Sequence, residues 1–315
     1  MLNVNTLAAS DPAQHVYNHV FWKSPDGWWL WTGNQGNLVL SGLILILGGL
    51  WVSSKIRIGP QSQGADRWVT TNRFAHMIEV ICVYLREEVV RPLLHDRTNK
   101  LMPFLWSIFF FILINNLLGL VPLLDIVHSI SRGMWLATNG ASGAAEPHTT
   151  PIGGTATQNI WVTGVLALVA AIVFNGAAVA RLGLGGYIKH LTADAPVFVW
   201  PLIVPIEFLG QVVIKPIALA VRLFANMTAG HILLATLFMF AGQVWGKGLL
   251  LQGPVTLVSV VGGIAVMFLE LFVAFLQAFV FMFLTTVFIS LMDHHEEHGH
   301  EHEHGHAHGH EHAHA

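Results

Sequence analysis

The hydrophobic positions of this chain form long runs rather than short alternating segments. Residues 38–54, 103–124 and 159–180 are each apolar over a length that crosses a bilayer core of about 30 Å once. Two later runs, 196–241 and 255–292, are about twice as long. As one straight helix, residues 196–241 would extend about 68 Å, so either that run crosses twice or a single helix is steeply tilted. The pattern predicts an all-α polytopic membrane protein.

The segment 55–101 has a different pattern, because it carries eight of the fifteen Lys and Arg residues. Its apolar residues recur every three or four positions, which predicts an amphipathic helix lying along the membrane surface. Pro92 is predicted to end this helix. By the positive-inside rule the segment is cytoplasmic. The apolar positions are Phe74, Ile78, Ile81, Leu85 and Val89.

The same rule divides the remaining chain between the two sides of the membrane. We expect residues 1–36 to form an external N-terminal segment, and residues 37–293 to form the membrane domain. Within that domain, residues 125–158 are predicted as an external loop and residues 181–195 as a cytoplasmic one. About five crossings follow if each long run crosses once.

The tail 294–315 contains eleven His among its 22 residues and is predicted to be disordered and cytoplasmic. His-rich tracts can bind metals, which makes His294, His295 and His298 weak candidate ligands. Their irregular spacing defines no coordination site, and a passive solvated tail is the competing interpretation.

Composition supports a membrane protein and excludes several other classes. The 315 residues are 54% hydrophobic and 10% charged, whereas a soluble domain carries about 25% charged residues. A single cysteine, Cys82, excludes an internal disulfide. Phosphate-binding loops, zinc-ligand spacings and nucleophile elbows are absent from the sequence, so we expect no catalysis and no cofactor. The basic residues form no patch interleaved with aromatics, so nucleic acid is not an expected partner.

The most informative residue is Arg222, a cation inside a long apolar run. A charge at membrane depth costs from about 2.5 to well over 10 kcal/mol, so it is retained where it pairs, faces water or functions. One interpretation is an arginine that reaches the headgroups from a helix end; the other, which we favour, is an ion-pathway residue. Arginine stays protonated, so it cannot relay a proton, but it can hold a carboxylate ionised or block a leak.

Helical spacing arranges other polar residues around Arg222. At about 100° per residue, four of them lie within about 60° of one another, and Glu207 lies about 40° further on. His231 follows Arg222 by nine residues and therefore points to the opposite face. The residues of the polar stripe are Glu207, Gln211, Lys215, Arg222 and Asn226.

Further polar candidates lie on the other apolar runs. Asn115 and Asn116 near the end of the second run can bond to a neighbouring helix or line a wet cavity. Asp125, just after that run, is a secondary channel candidate. Glu270 and Gln277 are seven residues apart and share one helix face, where they are functional candidates or bond within the protein.

The run Arg-Leu-Phe-Ala-Asn-Met at 222–227, followed by Ala-Gly-His at 229–231, closely resembles the signature of the a subunit of F-type ATP synthases. The Lys215-Pro216 step and the Asn-Asn-Leu-Leu-Gly-Leu-Val-Pro run at 115–122 are also similar to that family. The similarity of helix order extends from about residue 37 to residue 293.

The resemblance implies a non-catalytic, proton-conducting stator subunit in a bacterial cytoplasmic (inner) membrane. Two long inclined helices over 196–292 would form a hairpin facing a ring of c subunits, with b subunits of the peripheral stalk and the lipid bilayer as further partners. Two aqueous half-channels and an essential Arg222 would couple H⁺ flow to ATP synthesis. Many bacterial members have an acid and a histidine exchanged relative to His231 and Glu270, which suggests that the two side chains meet in one half-channel. Gln277 is expected to lie close to Arg222.

Two other functions would leave different signs in the sequence. A secondary transporter with Arg222 as substrate counter-ion predicts internal repeats, which the sequence does not show. A respiratory-chain membrane subunit with a proton relay would need quinone or haem ligands, and paired intramembrane histidines at haem spacing are missing. Co-purification with a small c-type proteolipid would separate the three.

Overall fold

The structure, a computed structural model, describes residues 20–23, 29–56, 70, 72–121, 155–192, 196–244 and 248–291. Within these ranges the chain is almost entirely helical, and five helical segments are long and apolar enough to span a bilayer. The predicted all-α polytopic class is confirmed. The elements are β1 (Val20–Lys23), β2 (Trp29–Thr32), α1 (Gly33–Lys55), α2 (Arg73–Tyr84), α3 (Arg91–Leu94), α4 (Thr98–Leu120), α5 (Ile160–Leu191), α6 (Trp200–Leu209), α7 (Lys215–Gln243) and α8 (Leu249–Leu291).

The N-terminal segment contributes a feature that the hydrophobic pattern did not predict. Strands β1 and β2 pair antiparallel, with Trp22 opposite Trp31. Thr32 ends the second strand and caps α1: its Oγ1 accepts from the Gln35 N–H at 3.3 Å, and Gln35 Oε1 accepts from the Thr32 N–H at 3.0 Å. This reciprocal capping box starts α1 at Gly33, five residues before the predicted apolar run.

The basic segment is helical as predicted, but it does not end at Pro92. The side chain of Asn72 caps α2, and a π-helical turn over Leu85–Val90 joins α2 to α3. Pro92 lies in the first turn of α3, directly after the π turn. The wider π turn leaves room for the proline ring, and a residue at this position needs no N–H donor. The chain leaves the helix at His95, whose φ of 42° lies in the left-handed region.

The prediction of a loop at 181–195 is largely wrong, whereas its cytoplasmic side stays a prediction. Helix α5 continues to Leu191 and is interrupted at Gly183, which has φ 69° and ψ 170°. Glycine adopts this conformation without a Cβ penalty, so the chain changes direction there and resumes helix. Arg181 and Lys189 suggest a charged connection, but both charges also fit within a helix.

The two long apolar runs are continuous helices, as the resemblance implied. Helix α6, a π-helical turn over Gly210–Ile214 and α7 together make 44 residues, and α8 has 43. At 1.5 Å per residue each extends about 65 Å, twice the hydrocarbon core, so each must incline strongly if it crosses once. Pro216 does not reverse the chain, because the π turn precedes it just as the earlier π turn precedes Pro92.

The core lies where α4, α5, α7 and α8 pack together, with α1 packed on α4. Leu219, Leu223 and Met227 form the buried stripe of α7. This stripe fixes the rotation of α7, because the spacing of four residues keeps all three on one face. Arg222 is then about 100° from the centre of the stripe on one side, and His231 is about 80° from it on the other.

Candidate functional site

His231 lies in a cluster built from four separate parts of the chain. Its Nδ1 is 3.0 Å from the Met227 carbonyl oxygen of its own helix. Its Nε2 is 3.1 Å from the Gly119 carbonyl at the end of α4 and 3.1 Å from Thr155 Oγ1. Both ring nitrogens are therefore engaged. We call Gly119, Thr155, Gly230, His231 and Glu270 the His231 cluster.

Glu270 of α8 faces the same imidazole. Its Oε1 is 3.6 Å from His231 Nδ1, and the residue is only 8% exposed. Neither carboxyl oxygen has a hydrogen-bond donor among the residues that the structure describes. A buried carboxylate without donors is strongly unfavourable, so this group needs a proton, water or a charged imidazole beside it.

Gly230 makes the approach of α8 to α7 possible at this point. A Cβ at Gly230 would lie 2.9 Å from both Cδ and Cγ of Glu270, and closer still to Oε1. Real Cβ atoms do not approach other atoms so closely, so an alanine would displace the carboxyl group. The glycine directly before His231 is therefore required by the position of Glu270.

The residues just before α5 close one side of the cluster. Ala156–Gln158 form a 3₁₀ turn. Thr157 Oγ1 donates to Asn116 Oδ1 at 3.1 Å, and Gln158 Nε2 donates to the Met227 carbonyl at 3.4 Å. The end of the predicted 125–158 loop thus inserts polar side chains between α4 and α7.

The paired amides of α4 have different roles. Asn116 Nδ2 donates to the Ala274 carbonyl of α8 at 3.4 Å, which is the contact with a neighbouring helix that the sequence allowed. Asn115 Nδ2 donates to the Phe111 carbonyl of its own helix at 2.9 Å. Asn115 Oδ1 is buried and has no partner within the described ranges. Asn116 is therefore the one that joins the helices around the site.

Arg222 is exposed on the surface of α7, away from His231. No residue in the described part of the chain forms an ion pair or hydrogen bond with its guanidinium. One turn later, Asn226 Nδ2 donates to Gln277 Oε1 of α8 at 2.6 Å. Gln277 was expected to hold Arg222, but its hydrogen-bond partner is Asn226, because α8 reaches the polar stripe one turn further along α7.

The first part of the polar stripe forms a separate ladder of hydrogen bonds. Gln211 Nε2 donates to Glu207 Oε1 at 3.0 Å, and Lys215 Nζ donates to Gln211 Oε1. Lys215 Nζ also lies 5.0 Å above the ring centre of Phe288 on α8. We call Glu207, Gln211 and Lys215 the Glu207 ladder.

The end of α5 lies close to the Glu207 ladder. Burial and, secondly, the negative charge of Glu207 raise the pKa of Tyr187, whose hydroxyl donates to Asn175 Oδ1 at 2.8 Å. Lys215 precedes Arg222 by seven residues, or about 10 Å along the helix, and His231 follows it by nine, or about 14 Å. Two polar clusters therefore flank Arg222 along one helix.

Comparison with known proteins identifies the family. The family model described as ATP synthase A chain matches residues 38–290, which is most of the chain. The chain belongs to the ATP synthase A chain family. Its five apolar helical segments make it a multi-pass membrane protein.

Individual relatives agree with this assignment. The chain is 38% identical to ATP synthase subunit a of Myxococcus xanthus over 230 residues, covering 71% of this chain and 64% of the relative. It is 34% identical to ATP synthase subunit a of Chloroherpeton thalassium over 256 residues, covering 79% and 66%. ATP synthase subunit a 2 of Chlorobaculum tepidum is 36% identical over 225 residues, covering 71% and 53%. The chain thus spans between about half and two thirds of the length of these curated relatives.

Within this family member, some predicted site residues lie outside the described ranges. These are Asp125 and the tail candidates His294, His295 and His298. In the part of the chain that the structure does describe, no group of three or more His, Cys, Asp or Glu side chains is arranged to hold a metal ion.

Sequence reasoning missed several members of the site. Thr155 and Thr157 are ordinary loop residues by type, and no spacing rule connects them to His231 or Asn116. Gly119 and Gly230 were present in the motifs that carry the resemblance, but their steric importance becomes visible only when the opposing side chains are placed. A glycine directly beside a titratable residue in an apolar helix is the signal that was available.

Proposed function

We propose that this chain is the proton-conducting stator subunit of the membrane sector of an F-type ATP synthase in a bacterial cytoplasmic membrane. One observation carries the proposal most: an exposed Arg222 lies between two separate polar clusters on the same long helix. A single permanent cation between two titratable clusters is the arrangement required to keep two proton paths apart.

The His231 cluster forms the first half-channel in this proposal. Glu270 and His231 are one acid and one imidazole 3.6 Å apart, so a proton can be held by either group. The absence of protein donors to Glu270 in the described residues favours water around its carboxyl group. Protons from outside would reach the ring through this pair.

The Glu207 ladder forms the second half-channel. Its carboxylate, amide and ammonium groups run along the opposite end of the same helix, close to Tyr187 on α5. This polar strip would receive protons released from the ring and conduct them to the cytoplasm. The segment 55–101, rich in Lys and Arg, would lie on that side.

Arg222 acts at the contact with the c-ring. An exposed guanidinium at membrane depth needs a counter-charge, and the described part of this chain supplies none. An ionised carboxylate on a passing c subunit would provide it, because an adjacent opposite charge favours the charged form of an acid. Neutralisation of that carboxylate by a proton would release it into lipid, and its ionisation would return it to Arg222.

Coupling then follows from exclusion rather than from bond chemistry. Arg222 blocks the direct path between the His231 cluster and the Glu207 ladder. A proton therefore passes between them only when it is bound to a c-subunit carboxyl group that moves with the rotating ring. The chain itself is non-catalytic and acts with the c-ring and with b subunits that hold it stationary.

The proposal is tested by proton flux in vesicles containing the reconstituted complex, with and without ATP. Arg222→Lys should abolish ATP-driven pumping although the charge is kept, because ammonium lacks the planar fork and loses its proton more readily when desolvated. Arg222→Ala should instead allow a passive leak. Arg91→Lys is the matched control, since Arg91 is exposed on α3 and pairs with Glu87. Pumping by Arg222→Lys near the wild-type rate would show that the assigned role is wrong.

A further inference from the structure

Thr155, which lies in the segment just before α5, contacts the imidazole of His231. Its Oγ1 is 3.1 Å from His231 Nε2 and 3.5 Å from the Gly119 carbonyl oxygen, and the residue is 2% exposed. Four groups from the described ranges face the two ring nitrogens: two backbone carbonyls, the carboxyl of Glu270 and this hydroxyl.

These partners differ in what they can do when the imidazole changes protonation. A neutral imidazole has one N–H donor and one acceptor nitrogen, whereas an imidazolium has two donors. The carbonyls of Met227 and Gly119 can only accept. With a proton on Nδ1 directed at Met227, the neutral ring therefore needs a donor at Nε2. Among the residues that the structure describes, the hydroxyl of Thr155 is the group placed to supply one.

We propose that Thr155 is a positioning residue for proton transfer through His231, a role that rests on the proposed function of the His231 cluster. The hydroxyl donates to Nε2 of the neutral ring and accepts from Nε2–H of the imidazolium. His231 then keeps one orientation in both states, with Nδ1 held 3.6 Å from Glu270. Without the hydroxyl, the described residues offer the neutral ring a partner at Nε2 only when the ring carries its proton there and donates to Gly119.

The fit between Thr155 and α4 supports this role. A Cβ at Gly119 would lie 2.5 Å from Thr155 Cγ2 and 2.6 Å from Thr155 Oγ1. Glycine at this position therefore lets the threonine side chain reach the imidazole. The turn that follows has further anchors in Thr157 and Gln158, which bond to Asn116 and to the Met227 carbonyl. Removing the Thr155 hydroxyl should consequently leave the turn in place.

The test compares Thr155→Ala with Thr155→Ser in the complete complex, since these two variants differ by one oxygen atom. Proton flux in vesicles should fall roughly fivefold or more in Thr155→Ala, as expected from the loss of one hydrogen bond to an ionisable group, and Thr155→Ser should recover most of it. Thr163→Ala is the matched control, because Thr163 is also buried but donates to the Ile160 carbonyl of its own helix. Its flux should match the wild type.

A second readout separates positioning from general structural support. In ¹⁵N solid-state NMR of histidine-labelled complex, the His231 signal is assigned by its loss in His231→Gln. The neutral ring should carry its proton on Nδ1 in the wild type and in Thr155→Ser, and on Nε2 in Thr155→Ala. Unchanged flux and an unchanged tautomer in Thr155→Ala would overturn the inference. A fall in flux with an unchanged tautomer would also overturn it, because the hydroxyl would then act on structure alone.

The outcomes also distinguish this inference from the function on which it rests. If His231→Gln conducts protons normally, the proposed role of the His231 cluster fails. If His231→Gln abolishes flux while Thr155→Ala and Thr155→Ser are equally active, the cluster keeps its role and Thr155 loses the one proposed here. If Thr155→Ala assembles poorly, the tautomer of His231 in the assembled fraction still shows whether the Thr155 hydroxyl positions the ring.

Discussion

The two polar clusters that flank Arg222 are built in opposite ways. The Glu207 ladder comes from one helix, in which residues four apart bond in series. The His231 cluster draws on α4, α7, α8 and the segment before α5, and two of its glycines permit approaches closer than any Cβ allows. One cluster is local along the chain, and the other depends on the tertiary fold.

This difference predicts how each cluster tolerates change. The ladder can adjust at its two ends, because Glu207 and Lys215 are long, partly exposed side chains with rotamer freedom, although Gln211 between them is buried. A cluster fixed by four segments and two glycines has little room to adjust, since the packed interior responds to even one added methyl group. We expect substitutions in the His231 cluster to have larger effects than equivalent ones in the ladder.

The largest contrast is expected between the two acids. Glu270→Gln should lower proton flux at least about tenfold, because an amide cannot take up and release a proton beside His231. Glu207→Gln keeps the oxygen that accepts from Gln211, so the ladder survives and the loss should be about twofold to fivefold. Both variants are measured in vesicles at equal complex content. Equal losses of proton flux would contradict the comparison, because the Glu207 ladder would then tolerate substitution no better than the His231 cluster.

The next effect tests the close approach at Gly230. Gly230→Ala should displace the Glu270 carboxyl and reduce flux several-fold, although alanine is favoured over glycine in a helix by about 1 kcal/mol. Gly242→Ala on the same helix is the control, because no described atom lies within 4 Å of the Cβ that it would add.

A double variant identifies the clash. Gly230→Ala combined with Glu270→Ala should assemble as well as the wild type, since the opposing side chain is gone, but it should not conduct. Poor assembly of the double variant together with good assembly of Glu270→Ala alone would show that Gly230 is needed for another reason.

The same contrast explains how much could be predicted from the sequence. Helical spacing placed Glu207, Gln211 and Lys215 on one stripe, because neighbours four apart on a helix meet. The opposite orientation of Arg222 and His231 also followed from spacing, and the encounter of His231 with Glu270 was inferred from an exchange of residue types within the family.

What could not be predicted depends on contacts between distant segments. Thr155 is 76 positions from His231 in the chain, and the pairing of Gln277 with Asn226 instead of Arg222 depends on the register between α7 and α8. The helix end predicted at Pro92 was wrong because proline alone indicates a break, whereas a wider preceding turn removes the need for one. The π turn before Pro216 also has no signal in the sequence.

A smaller effect should distinguish the neighbouring amides of α4 by stability. Asn116→Ala removes the acceptor of buried Thr157 and a bond to α8, which should cost about 1–3 kcal/mol. Asn115→Ala removes a bond within its own helix together with a buried oxygen that has no partner among the described residues, so it should cost less. The temperature at which the purified complex releases this subunit measures the difference. A larger loss in Asn115→Ala would indicate that Asn115 bonds outside this chain.

The smallest effect is expected at the contact between Lys215 and Phe288, which joins the ladder to α8. The ammonium lies 5.0 Å above the ring centre, a geometry worth about 0.5–1 kcal/mol at a partly exposed site. Phe288→Leu should lower the release temperature by a few degrees and leave flux within about twofold of the wild type, because Lys215 keeps its bond to Gln211. Phe283→Leu is the control, since Phe283 stacks on Phe279, has no cation over its ring within the described ranges, and loses a ring of the same size. The difference between the two variants reports the cation–π contact together with the packing of Phe288 against Phe174. If Phe288→Leu reduced flux as much as Glu207→Gln, the position of the Lys215 ammonium itself would matter for conduction, and the ladder would be less tolerant than its local construction predicts.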